Sequence, residues 1–139
     1  AELIFSFCRS LSPKKALILD PCFSEYETAL KVFGTETAHY LLNRQDNFAL
    51  TEAFLSVLEG FDGEMLMLCN PNNPTGNVVP HNELLDTIAR NPHTLFIIDQ
   101  SYARYTLKPT LTPSEAAEAD NVLLLGQCCC RRCRRLWVW

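Results

Sequence analysis

The residues best suited to chemistry stand at the ends of apolar runs. "FIIDQSYARY" closes one run on Asp99, with Tyr102 three residues further on. An acid that ends a buried strand loses its hydration unless something pairs with it, so a cation is expected beside Asp99. The plainer alternative is that this carboxylate caps the turn or helix that follows. A second run, "LMLCNPNNPTGNVVP" from Leu66 to Pro80, breaks into a dense cluster of Asn, Pro and Gly. Any one of these would stop a strand, because Pro lacks a backbone donor and Gly and Asn accept unusual dihedrals. So many together can hold a polar group rigidly toward a ligand. A third run ends in "DPCFSEY", which sets Phe23 just past the strand, either as core or as a stacking platform.

The elements that must position these residues follow from periodicity. "ALILD" (16–20), "TAHYLL" (37–42), "EMLMLC" (64–69), "TLFIID" (94–99) and "NVLLLG" (121–126) are short and almost continuously apolar. Such runs suit strands covered on both faces. "ELIFSFCRSL", "SEYETALKVF", "LTEAFLSVLEGF" and "HNELLDTIARN" space their apolar residues by three and four, as helices packed on a sheet do. The order reads α-β-α-β-α-β-α-β-α-β. It predicts an α/β fold with a mostly parallel sheet, flanking helices and right-handed crossovers. In such folds ligands gather beyond the carboxyl ends of the strands, where Phe23, the Asn70–Gly76 loop and Asp99 fall.

Composition bounds the class. The chain has 139 residues, about one domain, and its 47% hydrophobic content is enough for a sizeable core. No run approaches a membrane span and no secretion signal opens the chain, so a cytoplasmic protein is expected. Cys8, Cys22 and Cys69 are scattered singly, whereas Cys128, Cys129, Cys130 and Cys133 crowd the end, so the body is expected to be reduced. All 16 acids precede Cys128, against 8 basic residues there, and the tail adds four arginines. An acidic body argues against a nucleic-acid surface. Adjacent cysteines cannot easily converge on one tetrahedral ion, so the tail is not read as a metal knuckle. His39, His81 and His93 share no spacing that implies a metal or a triad. Glu25 and Glu27 read as a solvated helix face, and Arg104 as an exposed loop residue or a contact for a phosphate-bearing substrate.

In this order, "PxFSxY" (Pro21 to Tyr26), "NPNNPTG" (Asn70 to Gly76) and "DxxY" (Asp99 to Tyr102) resemble the motifs of one family. They look like the pyridoxal-phosphate enzymes of the aspartate aminotransferase fold, fold type I. The likeness is closest to the branch of histidinol-phosphate aminotransferase and threonine-phosphate decarboxylase, the latter serving cobalamin side-chain biosynthesis, and "KALILDPCFSEYETAL" leans toward the decarboxylase. The resemblance covers residues 1–126 and implies part of the large, cofactor-binding domain, with 127–139 an atypical tail that reads as an out-of-frame continuation.

The resemblance also implies roles. Pyridoxal phosphate is the cofactor: Asp99 would face its ring nitrogen, Asn73 and Tyr102 its phenolic oxygen, and Phe23 its ring face, with Tyr26 as support or core. Ala1 and Glu2 would lie at the helix start whose backbone N–H groups take the phosphate. The Asn73–Pro74 peptide is expected to be cis. Family members act on phosphorylated amino acids as homodimers, with no nucleic-acid or membrane partner. They follow the fifth strand with a Ser/Thr-rich segment and the Schiff-base lysine, whereas here the only lysines are Lys14, Lys15, Lys31 and Lys108. Two readings follow: an enzyme acting on a phosphorylated amino acid by decarboxylation or transamination, or a non-catalytic fragment that keeps part of a cofactor pocket.

Overall fold

The computed structural model describes residues 2–126. Ala1 and 127–139 lie outside them, so the expectations for Ala1 and for the Cys/Arg-rich tail have no structural counterpart. The chain runs α1 (Glu2–Leu11), β1 (Lys15–Asp20), α2 (Glu25–Val32), β2 (Glu36–Leu41), α3 (Glu52–Glu59), β3 (Met65–Cys69), α4 (His81–Arg90) and β4 (Leu95–Gln100). A single 3-10 turn (Ala103–Tyr105), α5 (Pro113–Glu118) and β5 (Val122–Gly126) complete it. Each strand and each of the first four helices falls within one or two residues of its apolar run. Among the described residues no helix is long and apolar enough to cross a membrane.

All strand pairings are parallel, in the order β2-β1-β3-β4-β5. The chain first steps outward from β1 to β2, then returns across β1 and proceeds through β3, β4 and β5. The direction therefore reverses between β1 and β3, the kind of place where open α/β sheets bind ligands.

Alternation along each strand divides the core in two. Leu17, Leu19, Leu66, Leu68, Phe96, Ile98 and Val122 face one side, with Phe54 and Leu58 of α3, Leu84 and Ile88 of α4, and Ala116 of α5. Ala16, Ile18, Met65, Met67, Cys69, Ile97 and Leu125 face the other, with Ile4 and Cys8 of α1 and Tyr26, Ala29 and Leu30 of α2. β3 is buried along its whole length, as its unbroken apolar run requires, whereas β2 is a sheet edge with Leu41 exposed. Side chains two apart share a face, so Asp99 is carried to the α1/α2 side by the parity of Ile97.

The helix α5 had no apolar run to announce it. Its signal is local: "TPSE" puts a Thr at the N-cap, Pro at the first helical position and Glu at N3, a complete capping box. Glu115 accepts from Thr112 N at 2.8 Å and also meets His81 Nε2, at 3.0 Å from Oε1, which ties α5 to the start of α4. The Thr112 amide first and His81 next hold the Glu115 carboxyl down to about 2, and Glu115 raises the His81 imidazolium above its ordinary 6.5. The His81 contribution is thus complete below about 6.5 and lost as pH rises through the raised value. That of Glu115 is complete above about 4.5 and lost as pH falls toward about 2. Urea titrations of the parent chain and His81→Ala are expected to differ most between about pH 4.5 and 6.5, the gap closing above that range. A gap that widens with rising pH would contradict this pairing.

Candidate cofactor site

One cleft of about 520 Å³ opens at the carboxyl ends of the strands, a size usual for small-molecule sites. Five of the six residues singled out in the sequence line it: Glu2, Phe23, Asn73, Asp99 and Tyr102. They come from α1, from the end of β4 and from the segments after β1, β3 and β4. The cleft also takes in Tyr26, Cys69, Ser101, Tyr105 and the end of β5 at Leu125 and Gly126.

The strand-end loop that is so rich in Asn uses most of that Asn to fix its own path, within the loop and to neighbouring segments. Asn70 Oδ1 accepts from Val79 N at 2.9 Å, and Asn70 N donates to Asp99 O at 2.8 Å, so the loop is clamped at both of its ends. Asn72 Nδ2 donates to Pro21 O and to Thr75 Oγ1, both at 2.9 Å, which fixes the loop to the segment that carries Phe23. Asn77 Nδ2 donates to Phe48 O at 2.9 Å. Gly76 turns the chain with a φ of +70°, a conformation that disfavours residues with a Cβ. Asn73 is the Asn of this loop whose amide reaches the cleft, where Nδ2 donates to Tyr102 Oη at 3.3 Å. The Asn73–Pro74 bond is cis as expected, and so are Asp20–Pro21 and Asn70–Pro71.

Asp99 is 6% exposed, and the cation expected beside it is not a side chain among the described residues. Neutral donors hold it instead. Ser101 N and Oγ donate to Oδ1 at 2.8 and 2.6 Å, and Tyr26 Oη donates to Oδ2 at 2.8 Å. The capping alternative holds, since Ser101 closes the turn after β4 on the same carboxylate. Ser101 was missed in the sequence although its spacing, two residues after an Asp, is that of such a turn.

Tyr26 is more than core. It is fully buried in α2, it meets Asp99 across 73 residues of sequence, and its ring stands edge-on to Phe23 with centroids 5.7 Å apart at 85°. Burial and then the Asp99 charge push its phenol far up, so the hydroxyl stays a donor. Burial, with Asp20 next, pushes the Cys22 thiol up to about 12, and burial raises Cys69 as well. Neither is a thiolate nucleophile near neutral pH.

The expectation of a solvated helix face at Glu27 needs revision, whereas that of an exposed loop residue at Arg104 holds. Glu27 is engaged with Lys31 and His39, and His39 in turn lies 2.8 Å from Asp20 Oδ2, so that helix face is not simply solvated. Arg104 is exposed and does not line the cleft. Among the described residues the charged side chains of the cleft are Asp99 and Glu2, both acidic.

A parallel α/β sheet with a polar cleft at its switch point defines a class of ligand-binding domains, and comparison narrows it. The family model for aminotransferase class I and II matches residues 1–128, and the chain belongs to that family. It is 38% identical over 104 residues to threonine-phosphate decarboxylase of Salmonella typhimurium, covering 73% of this chain and 28% of that protein. It is 30% identical over 112 residues to histidinol-phosphate aminotransferase of Ruminiclostridium cellulolyticum, covering 80% and 31% respectively. The crystal structure of L-threonine-O-3-phosphate decarboxylase from Porphyromonas gingivalis superposes on 90% of this chain and 36% of its own, with a TM-score of 0.76 at 27% identity. The chain thus spans under a third of the length of these two curated relatives.

Proposed function

We propose that this chain is the central part of a pyridoxal-phosphate-binding domain from an enzyme that decarboxylates threonine phosphate. The observation that carries the reading is the buried Asp99 carboxylate, satisfied by three neutral donors yet without a cation among the described residues, at one end of a cleft that begins at a helix amino terminus. A cationic ring nitrogen would complete Asp99, and an anionic phosphate suits the first N–H groups of the ten-residue α1, where Glu2, Leu3 and Ile4 line the cleft. When bound, the cofactor withdraws electrons from the substrate's α-carbon through its protonated ring.

The chain's residues then have distinct tasks. Asp99 keeps a proton on the ring nitrogen. Asn73 Nδ2 and Tyr102 Oη, 3.3 Å apart, offer two donors to the phenolic oxygen. Phe23 supplies an aromatic face whose offset contact adds about 0.5–1.5 kcal/mol beyond burial. Identity to the decarboxylase over most of the chain supports threonine phosphate as substrate. A second reading, transamination of histidinol phosphate, has support from the aminotransferase relatives that align over a longer stretch. The reading also includes a homodimer as the assembled enzyme.

Titration with pyridoxamine phosphate, which has no aldehyde to react with surface lysines, tests the site. Amide NMR shifts are expected at Leu3, Ile4, Asn73, Ser101 and Tyr102. Shifts confined to the α3–α5 face, or none at millimolar ligand, would overturn the assignment.

A further inference from the structure

We propose that Tyr26 and Ser101 are positioning residues that make the two oxygens of Asp99 unequal, so that Oδ2 alone is left to receive the ligand's ring N–H. The proposal rests on the pyridoxal-phosphate reading above and adds which atom makes the contact and what aims it.

A carboxylate offers about four lone-pair sites, two on each oxygen. Oδ1 takes two donors, Ser101 N at 2.8 Å and Ser101 Oγ at 2.6 Å, and is saturated. Oδ2 takes one, Tyr26 Oη at 2.8 Å, and keeps one site unfilled on a side chain that lines the cleft. Tyr26 cannot drift, because it is 0% exposed and packed within the α1/α2 core. The raised phenol supports the same geometry, since a hydroxyl that never ionises near neutral pH cannot become a second anion beside Asp99. Through its edge-on contact with Phe23, Tyr26 also couples the acid to the aromatic wall of the cleft. Without the Tyr26 hydroxyl, Oδ2 loses a donor that favours its charged form and fixes its direction.

The test compares pyridoxamine phosphate with its deaza analogue, in which a C–H replaces the ring nitrogen, by calorimetric titration of the full chain. The parent chain is expected to prefer the nitrogen ring. In Tyr26→Phe that preference should fall about tenfold, as for a hydrogen bond to a charged group, while affinity for the deaza analogue stays unchanged. Ser101→Ala, which keeps its backbone donor, should lose less. A loss confined to the nitrogen ring is an effect that mere loss of packing would not produce. An undiminished preference in Tyr26→Phe, or an equal loss of both ligands, overturns the positioning role while leaving the cofactor reading intact. A parent chain that does not distinguish the two ligands overturns the cofactor reading, and this inference with it.

Discussion

A polypeptide of these 139 residues, mixed with pyridoxal phosphate, is expected to yield no cofactor that borohydride can fix onto one specific lysine, and no turnover of threonine phosphate or histidinol phosphate. The expectation follows from where its lysines are. Lys15 opens β1, about 16 Å of strand away from the carboxyl ends that form the cleft, and it is paired with Asp62 at 2.6 Å. Lys14 precedes it. Lys31 lies in the last turn of α2, paired with Glu27. Lys108 stands exposed in the segment after β4 and does not line the cleft. The residues after β5, where the resembled family places its lysine, contain none. A missing general base alone costs roughly 10²–10⁴-fold in rate, and loss of the covalent anchor adds to that. Weak reversible binding through Asp99 and Asn73 is compatible with this outcome. Stoichiometric reduction onto Lys108 with turnover of threonine phosphate would overturn it and assign Lys108 as the base.

The fold and half of the site were legible for different reasons. A strand such as "MLMLC" is buried on both faces, so its apolar run needs no partner to be recognised, and the same holds for β1, β4 and β5. The alternation of elements then dictates a parallel sheet, and the sheet dictates which ends meet. Phe23, Asn73, Asp99 and Tyr102 could be singled out because each lies at the carboxyl end of a strand or within a few residues after it. What stayed hidden was made by pairing across the sequence. Nothing in "SEYETAL" says that Tyr26 reaches Asp99, because that contact depends on how α2 lies across β1 and β4. The Glu27–His39–Asp20 chain is likewise set by the pairing of β1 with β2, which puts Ile18 opposite His39. Asn70, Asn72 and Asn77 could not be told from Asn73 by composition, since all four have the same chemistry and only the folded loop decides which amide faces the cleft.

Phe96→Ala is expected to destabilise the chain by about 3–5 kcal/mol, the usual cost of emptying a buried aromatic site. Phe96 is 0% exposed on β4, between β3 and β5, and packs on the α3–α5 side of the sheet. A domain of this size has about 5–15 kcal/mol in total, so the variant should shift the folded-to-unfolded ratio by more than a hundredfold. The urea midpoint should fall with little change in slope, which marks a loss of stability without a change in the surface exposed on unfolding. Leu41→Ala serves as the contrast, because Leu41 is 75% exposed on the edge strand and its removal should stay within about 0.5 kcal/mol. The comparison bears on the site as well as the core. Asp99 follows Phe96 by three residues on the same strand but faces the opposite side, so no atom removed in Phe96→Ala borders the cleft. Below its unfolding transition the variant should therefore bind pyridoxamine phosphate as the parent does, and lose binding only as β4 unfolds. Equal midpoints for Phe96→Ala and Leu41→Ala would contradict the described packing, and weakened binding by a fully folded Phe96→Ala chain would contradict the independence of the two faces.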